Sequence, residues 1–205
     1  MDMIEVLGIA ASLSLLAGWR LYLSIFATGL AMQAGLIAVP DHAGALALIG
    51  NPWIIGAAGL GLLAEFLADK IAWFDSLWDM VHTVLRPVGG ALLALAVLDP
   101  ADPKVQIAAL LMGGGGALIS HGAKAGTRAL INASPEPFSN IAVSTGEDIV
   151  SGGLLFLIFK APIAAALVAG LLLIGMVALL SAGRRMLNRL FTPPAKTPPG
   201  GRTRP

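Results

Sequence analysis

Long apolar runs, separated by short polar connections, recur along most of this 205-residue chain. A helix that crosses a membrane needs about 20 predominantly apolar residues. Runs of this kind cover roughly residues 3–39, 52–68, 78–98, 105–123, 144–159 and 162–182. Only 12% of the residues are charged and the mean hydropathy is +0.83, as in chains embedded in lipid. The pattern predicts an all-α, polytopic helical membrane protein with about six to seven spans.

The first apolar run, residues 3–39, is too long for one straight crossing, and Gly18, Trp19 and Arg20 interrupt it. Either two short helices meet at this break, or one long tilted helix carries Arg20 at an interface or inside the bundle. Broken or re-entrant helices are therefore part of the expected fold.

The two halves of the chain are weakly similar. Apolar runs with glycine lead into polar residues at 59–70 and again at 113–124, and a paired-glycine run follows each. One interpretation is a two-fold internal repeat, which in many transporters places a site between the repeats; the other is chance similarity of apolar helices. Four consecutive glycines, 113–116, favour close packing against a neighbouring helix, or else an exposed backbone beside an ion.

Basic residues collect after the last apolar run, at Arg184, Arg185, Arg189, Lys196, Arg202 and Arg204. Because Lys and Arg are enriched on the cytoplasmic side of membrane proteins, we expect a cytoplasmic C-terminus. Counting back by alternation places the segments around Lys70, Lys124 and Arg128 on the same side. We expect one transmembrane domain over residues 1–191 and a disordered cytoplasmic tail over 192–205.

A group of ionisable residues stands out against this apolar background. Its members are Glu65, Asp69, Asp75, Asp79, His82 and Arg86. The spacings i, i+4 for the first two, and i, i+4, i+7, i+11 for the others, place each set on one helical face. Ionised groups are costly in hydrocarbon, and such a group commonly marks a binding site, an ion pathway or a pairing between helices.

Structural interpretations compete for several of these residues. Ser76 to Asp79 matches a helix-capping box, and Asp75 and Lys70 fit solvated loop positions. Glu65 and Arg86 lie deeper in their apolar segments, where they are expected to form an ion pair between neighbouring helices or to belong to a site.

The second half offers a comparable polar stripe. Asn140, Ser144, Glu147 and Ser151 repeat the i, i+4, i+7, i+11 spacing, and Asp148 lies beside them. Ser144 to Glu147 also matches a capping box, and a helix beginning at Ser144 would leave Asn140 outside the stripe. The segment 132–140, with two prolines, is expected either to dip into the bundle or to be an ordinary cytoplasmic loop. A further polar set leaves the glycine-rich run at Ser120, His121, Lys124 and Arg128.

Several classes of protein are disfavoured. The chain has no cysteine, which excludes disulfides and thiolate chemistry, and a net charge of +1 disfavours nucleic-acid binding. HExxH and GxSxG motifs are absent, no cofactor is expected, and a metal site is left undecided. An enzyme is therefore the less favoured class, with a membrane-embedded lipid-modifying enzyme as the third alternative.

Several motifs occur together in order. They are Ala17-Gly-Trp-Arg20-Leu-Tyr22, Glu65-Phe-Leu-Ala-Asp69-Lys70 with Trp78-Asp79, Pro137-Phe-Ser139-Asn140 and Ser144-Thr-Gly-Glu147-Asp148. In this combination the chain resembles a bacterial inner-membrane family catalogued as domain of unknown function 4126, over residues 3 to about 182. The resemblance implies a polytopic helical protein of the inner membrane and implies no activity or ligand.

The leading functional hypothesis is a small transporter or channel for an ion or small polar solute, in the lipid bilayer and working as a homo-oligomer. A short chain has few helices with which to enclose a path alone. Glu65 and Asp69 are expected to bind a cation or proton, with His82 tuning protonation and Arg86 as counter-charge. Asn140, Glu147 and Asp148 are expected to complete the site from the second half. The alternative is a non-transporting membrane scaffold or lipid-binding protein.

Overall fold

The computed structural model describes residues 3–36, 44–98, 101–132 and 137–191. Within these ranges the chain forms eight helices and no strand. The helices are α1 (Met3–Trp19), α2 (Leu21–Gln33), α3 (Gly44–Ile49), α4 (Pro52–Ala68), α5 (Ala72–Leu98), α6 (Pro103–Asn132), α7 (Pro137–Lys160) and α8 (Pro162–Phe191). The predicted all-α class is confirmed, whereas the predicted disordered tail lies outside the described residues.

The starts of two helices follow directly from local sequence. The Asn51 side chain accepts the backbone N–H of Trp53, and Pro52 occupies the first turn, where its missing N–H costs nothing. The Asp102 carboxylate accepts the backbone N–H of Lys104 in the same way at the start of α6. The helix α4 therefore has the limits that its apolar run predicts.

Four helices, α5 to α8, contain stretches long and apolar enough to cross a membrane. The helices α1, α2 and α4 are apolar but shorter. Large apolar side chains such as Trp53, Leu111 and Phe138 are exposed, as expected of surfaces that contact lipid. The chain is therefore a multi-pass helical membrane protein, and the count of six to seven spans stays a prediction.

The first apolar run forms two helices, with Arg20 alone between them. The chain reverses at this residue. Ser14 in α1 donates to the carbonyl of Gly90 in α5, whereas in α2 Leu21 lies beside Gly89 and Met32 packs on Ala96. The interpretation as one long helix is wrong, because the extended backbone at Arg20 (φ −139°, ψ 77°) ends α1.

The bundle is closely packed where α1, α5 and α6 meet. A side chain at Gly18 would clash with the α6 backbone at Ala117, and Gly90 and Gly113 face each other across the α5–α6 contact. The glycines 113–116 stay helical, and the first of them packs on Ala94. Close helix packing, the favoured interpretation of this run, agrees with the structure, and the internal repeat stays a prediction.

Both capping-box interpretations are wrong. The helices begin at Ala72 and Pro137, so Ser76 and Ser144 lie inside them rather than at their N-termini. These helices extend well beyond their apolar runs, because their first turns bury polar side chains in the bundle. The expected loop 132–140 is wrong over residues 137–140, which begin α7, while residues 133–136 lie outside the described part.

Candidate functional site

A polar interior occupies one half of the bundle. The end of α4, the first half of α5, the second half of α6, the first half of α7 and the α1–α2 break all contribute to it. Eleven acidic and basic residues take part: Arg20, Glu65, Asp69, Lys70, Asp75, Asp79, Arg86, Lys124, Arg128, Glu147 and Asp148. All except Lys70 and Asp148 are buried. Charges at this depth require partners.

Arg86 joins two carboxylates from different helices. Its Nη2 donates to Glu65 Oε1 at 2.8 Å, and its Nη1 donates to Asp79 Oδ1 at 2.8 Å. Glu65 and Arg86 are completely buried. We call this group, together with His121 and Thr83, the Glu65 cluster. The predicted Glu65–Arg86 ion pair is confirmed. The prediction of Asp79 as a helix cap is wrong, because its carboxylate accepts a hydrogen bond from Arg86.

The hydrogen bonds of His121 define its protonation. Arg86 Nη1 donates to His121 Nδ1 at 2.8 Å, and a guanidinium can only donate, so Nδ1 carries no proton. His121 Nε2 therefore donates to Thr83 Oγ1 at 3.1 Å, and the Thr83 hydroxyl donates to the carbonyl of Asp79. His121 is thus held neutral beside a positive charge.

His82 lies in an aromatic pocket beside the Glu65 cluster. Its ring stacks on Trp78 and contacts Tyr22 edge-on. Its Nδ1 donates to the Trp78 carbonyl at 2.7 Å, and its Nε2 is 3.0 Å from the Tyr22 hydroxyl. His82 therefore bridges α5 and α2.

Asp69 is the centre of a second group, which we call the Asp69 cluster. Arg20 forms an ion pair with its carboxylate, Lys124 Nζ donates to both its oxygens at 3.0 and 3.2 Å, and Arg128 lies at 3.7 Å. Burial alone would raise the pKa of Asp69, but Lys124, Arg20 and Arg128 together hold that pKa below its usual value. One buried carboxylate thus neutralises three basic side chains only in part.

Helix α7 completes the Asp69 cluster from the second half of the chain. Arg128 donates to Asn140 Oδ1 and to Glu147 Oε2, each at 2.6 Å. Asn140 in turn donates to the Asp69 carbonyl at 3.2 Å. The buried stripe of Asn140, Ser144, Glu147 and Ser151 expected from the sequence therefore exists on one helix.

Asp148 connects this cluster to the surface. Arg20 forms an ion pair with Asp148 Oδ1, and Lys70 Nζ donates to Asp148 Oδ2 at 3.1 Å and to Ser144. Lys70 and Asp148 are partly exposed. The break between α1 and α2 is thereby joined to both halves of the chain, because Arg20 binds Asp69 and Asp148.

The seven predicted site residues fall into three environments. Glu65 and Arg86 pair with each other, His82 lies beside them, and Asp69, Asn140, Glu147 and Asp148 belong to the Asp69 cluster. The predicted site lacks Arg20, Asp79, His121, Lys124 and Arg128. Lys124 and Arg128 are assigned from the sequence to a polar segment on the cytoplasmic side, although both are buried. The i, i+3, i+7 spacing of His121, Lys124 and Arg128, which places them on one helical face, was the signal available in the sequence.

Asp75 and Lys70 also differ from expectation. Asp75 is completely buried rather than a solvated loop residue, and Lys70 is held by Ser144 and Asp148. Within the described residues, no three His, Asp or Glu side chains are grouped so as to hold a metal ion.

Comparison with known proteins identifies one family. The model described as "Domain of unknown function (DUF4126)" matches residues 7–182. No curated protein and no solved structure matches the chain.

Proposed function

The chain belongs to the family described as "Domain of unknown function (DUF4126)", and we propose a function for it from its buried charges. We propose that it is a small transporter or channel for an ion or small polar solute. The description of the family names no activity. The observation that carries the proposal is the Asp69 cluster, which joins the α1–α2 break, α4, α6 and α7 through buried charges.

Helix packing alone does not require these charges. The contacts of α1, α5 and α6 are already made by glycine and small side chains. Buried ion pairs are often no more stabilising than apolar residues of similar volume, because their desolvation is costly. A network of such pairs inside a membrane protein therefore favours a role in moving or binding a charged species.

The polar groups extend deep into the bundle. Lys70 and Asp148 are partly exposed, Asp69 and Lys124 lie further in, and Arg86 lies fourteen residues into α5. Fourteen residues correspond to about 21 Å along a helix. A cavity of about 410 Å³ between α6, α7 and α8 reaches the network at Lys124 and Glu147. These features support a path in which a solute exchanges partners with the ion pairs.

The roles follow from these positions. Glu65 and Asp69 are the proposed acidic sites for the cation or proton, Arg86 is the counter-charge, and His82 tunes protonation. Asn140, Glu147 and Asp148 complete the site from α7. We place the protein in the bacterial inner membrane as a homo-oligomer with a cytoplasmic C-terminus. Arg184 and Arg185, which are exposed on α8, support this orientation, because basic residues are enriched on the cytoplasmic side.

A membrane scaffold or lipid-binding protein is the second candidate. It is favoured by one observation, which is that Asp69, Glu147 and Asp148 already pair with basic side chains, as purely structural ion pairs would.

Ion flux in reconstituted vesicles separates the two candidates. Purified protein should conduct protons or another monovalent cation down an imposed gradient. Glu65→Gln should reduce this flux about tenfold or more, equivalent to about 1.4 kcal/mol in the barrier. Asp102→Asn is the matched control, because Asp102 lies outside the network and Asn also caps a helix. If the protein is folded and no flux is detected for any of the ion gradients tested, the result would favour the scaffold.

A further inference from the structure

The end of α8 carries a basic surface without acidic neighbours on its own helix. Arg184 and Arg185 are exposed there, and neither forms an ion pair within the described residues. The sequence has no aspartate or glutamate after Asp148, whereas six basic residues lie between residues 182 and 205. Such a surface attracts anions, and its place on the helix indicates which kind.

Arg185 lies on the side of α8 that points away from the bundle. The side that packs on the other helices contains Ala169 and Met176, which are buried. Arg185 follows Met176 by nine residues, about two and a half turns of helix, so it lies on the opposite side. Leu167 and Ile174 are exposed and lie about five and three turns before Arg185, so they share its side. Arg185 therefore ends a strip of exposed apolar side chains.

The depth of the two arginines follows from the length of this strip. Among the four candidate spans, α8 has the highest mean hydropathy, 2.8. Leu167 precedes Arg185 by eighteen residues, about 27 Å along the helix, and the hydrocarbon core of a bilayer is about 30 Å thick. A helix that fills the core with this strip places Arg184 and Arg185 among the lipid headgroups at one surface of the membrane.

The chemistry of the headgroup layer identifies the ligand. Guanidinium groups bind phosphate oxygens through paired N–H donors, and in this layer the phosphate belongs to a phospholipid. We propose that Arg184 and Arg185 bind the headgroup of an anionic phospholipid whose acyl chains lie along the outer side of α8. This binding does not depend on the transport function proposed above, because neither arginine belongs to the buried ion-pair network.

A second copy of the chain is the competing occupant of this side of α8. A two-fold symmetric contact brings the same residues of both copies together. The arginines of the two copies would then lie close to each other, and α8 has no acidic residue to compensate them. An anionic lipid supplies the missing negative charge, so the charge pattern favours the lipid.

Fluorescence quenching at a single introduced cysteine tests the binding at this position. The chain has no cysteine of its own, so Ala178→Cys places one fluorophore about two turns before Arg185 on the same exposed side. The full-length protein is reconstituted in phosphatidylcholine vesicles. A small fraction of phosphatidylglycerol, or of phosphatidylcholine, carries a quenching nitroxide on an acyl chain.

Phosphatidylglycerol should be favoured over phosphatidylcholine at the Ala178→Cys label by about fivefold or more, the factor expected for one basic residue near an anionic lipid. Leu92→Cys, which places the same label on an exposed position of α5, should show no such preference. The preference at Ala178→Cys should weaken at high salt, because the contact is exposed.

The charge variants are made in the Ala178→Cys protein. Arg184→Gln with Arg185→Gln should abolish the preference for phosphatidylglycerol. Lys104→Gln with Lys160→Gln is the matched control, because it removes the same charge from two other exposed positions, and it should keep the preference. The two labels compared in the otherwise unchanged protein decide the question even if a charge variant fails to fold.

Several results would overturn the proposal. Equal quenching by both lipids at Ala178→Cys would exclude a preferred anionic lipid. An equal loss in the lysine control would mean that the total charge of the protein is responsible. Displacement of the lipid by inorganic phosphate at constant ionic strength would indicate a phosphate site, and efficient disulfide formation between unlabelled Ala178→Cys chains would indicate a second copy.

Discussion

Two buried clusters lie one helical turn apart at the end of α4, and the side chains at their centres carry opposite charges. In the Glu65 cluster, one basic side chain binds two acids. In the Asp69 cluster, one carboxylate is surrounded by three basic side chains from the α1–α2 break and from α6, with Glu147 shared between Arg20 and Arg128.

This difference predicts which acid is the more costly to remove. Removing the Asp69 carboxylate leaves Lys124 without the acid that it binds, whereas Arg86 keeps one carboxylate when either Glu65 or Asp79 is neutralised. The Asp69 cluster also joins four parts of the bundle, while the Glu65 cluster joins α4, α5 and α6. We infer that the stability of the Asp69 cluster depends on one carboxylate, whereas that of the Glu65 cluster is shared between two.

Asp69→Asn should have the largest effect on stability. The substitution keeps the shape of the side chain but removes the charge that Arg20, Lys124 and Arg128 share. Breaking a buried ion pair by removing one partner typically costs about 3–5 kcal/mol. Equilibrium unfolding in mixed micelles, followed by tryptophan fluorescence, measures the loss against Asp102→Asn. A loss below about 0.5 kcal/mol, the level of an ordinary surface substitution, would contradict the assigned role.

The pH dependence of that loss sharpens the comparison. Burial alone would raise the pKa of Asp69, but its basic neighbours lower it below the usual value in the folded state. A lowered folded-state pKa gives stability that is present above the unfolded pKa and is lost as the pH falls through the folded one. The difference between wild type and Asp69→Asn should therefore stay constant between about pH 5 and 8. A decline of this difference within that window would show that Asp69 is not ionised throughout.

Arg128→Lys should cost less, about 1–3 kcal/mol, the range for a buried group left without its hydrogen bond. Arg128 binds Asn140 with one terminal nitrogen and Glu147 with the other, and an ammonium cannot span both. The charge is retained, so only the geometry is tested. Thermal unfolding of Arg128→Lys beside wild type and Arg185→Lys, which alters an exposed arginine, measures the cost. Equal midpoints for all three proteins would mean that the fork geometry is unimportant.

Most of the fold follows from the apolar pattern. The run 52–68 coincides with α4, and the break at Gly18 to Arg20 coincides with the end of α1. The predicted starts of α5 and α7 are wrong, because Ser76 to Asp79 and Ser144 to Glu147 resemble capping boxes although they lie inside these helices. Those polar side chains face the interior of the bundle rather than water. Hydropathy alone does not distinguish the two environments.

The site was predictable only in part, for a related reason. Glu65 and Arg86 are isolated in apolar runs, so their pairing could be inferred from the cost of burying them singly. Asp79 was assigned to a cap, and Lys124 to a cytoplasmic connection, because their partners lie on other helices. Which acid binds which base depends on the packing angles of four helices, and no local spacing contains that information.

Glu65→Gln should lower the free energy of unfolding by about 1 kcal/mol, the centre of the distribution for single substitutions, because it leaves no buried charge unpaired. Arg86 keeps Asp79 as its counter-charge, and the glutamine oxygen can still accept from Arg86 Nη2. Unfolding under the conditions used for Asp69→Asn gives the comparison, with Asp79→Asn as the matched variant. A cost as large as that of Asp69→Asn would mean that Arg86 requires both of its carboxylate partners.

Lys70→Gln should have the smallest effect, because the Lys70–Asp148 pair is the most exposed ion pair described in the network, at 24% and 30% exposure. Pairs in contact with solvent contribute about 0.2–1 kcal/mol. Arg20 keeps Asp148 paired when Lys70 is replaced. Unfolding at low and at high salt measures the pair, since screening weakens exposed charges more than buried ones. A loss of stability comparable to that of Arg128→Lys would contradict this prediction. It would mean that the Lys70–Asp148 pair contributes as much as the buried ion pairs of the Asp69 cluster.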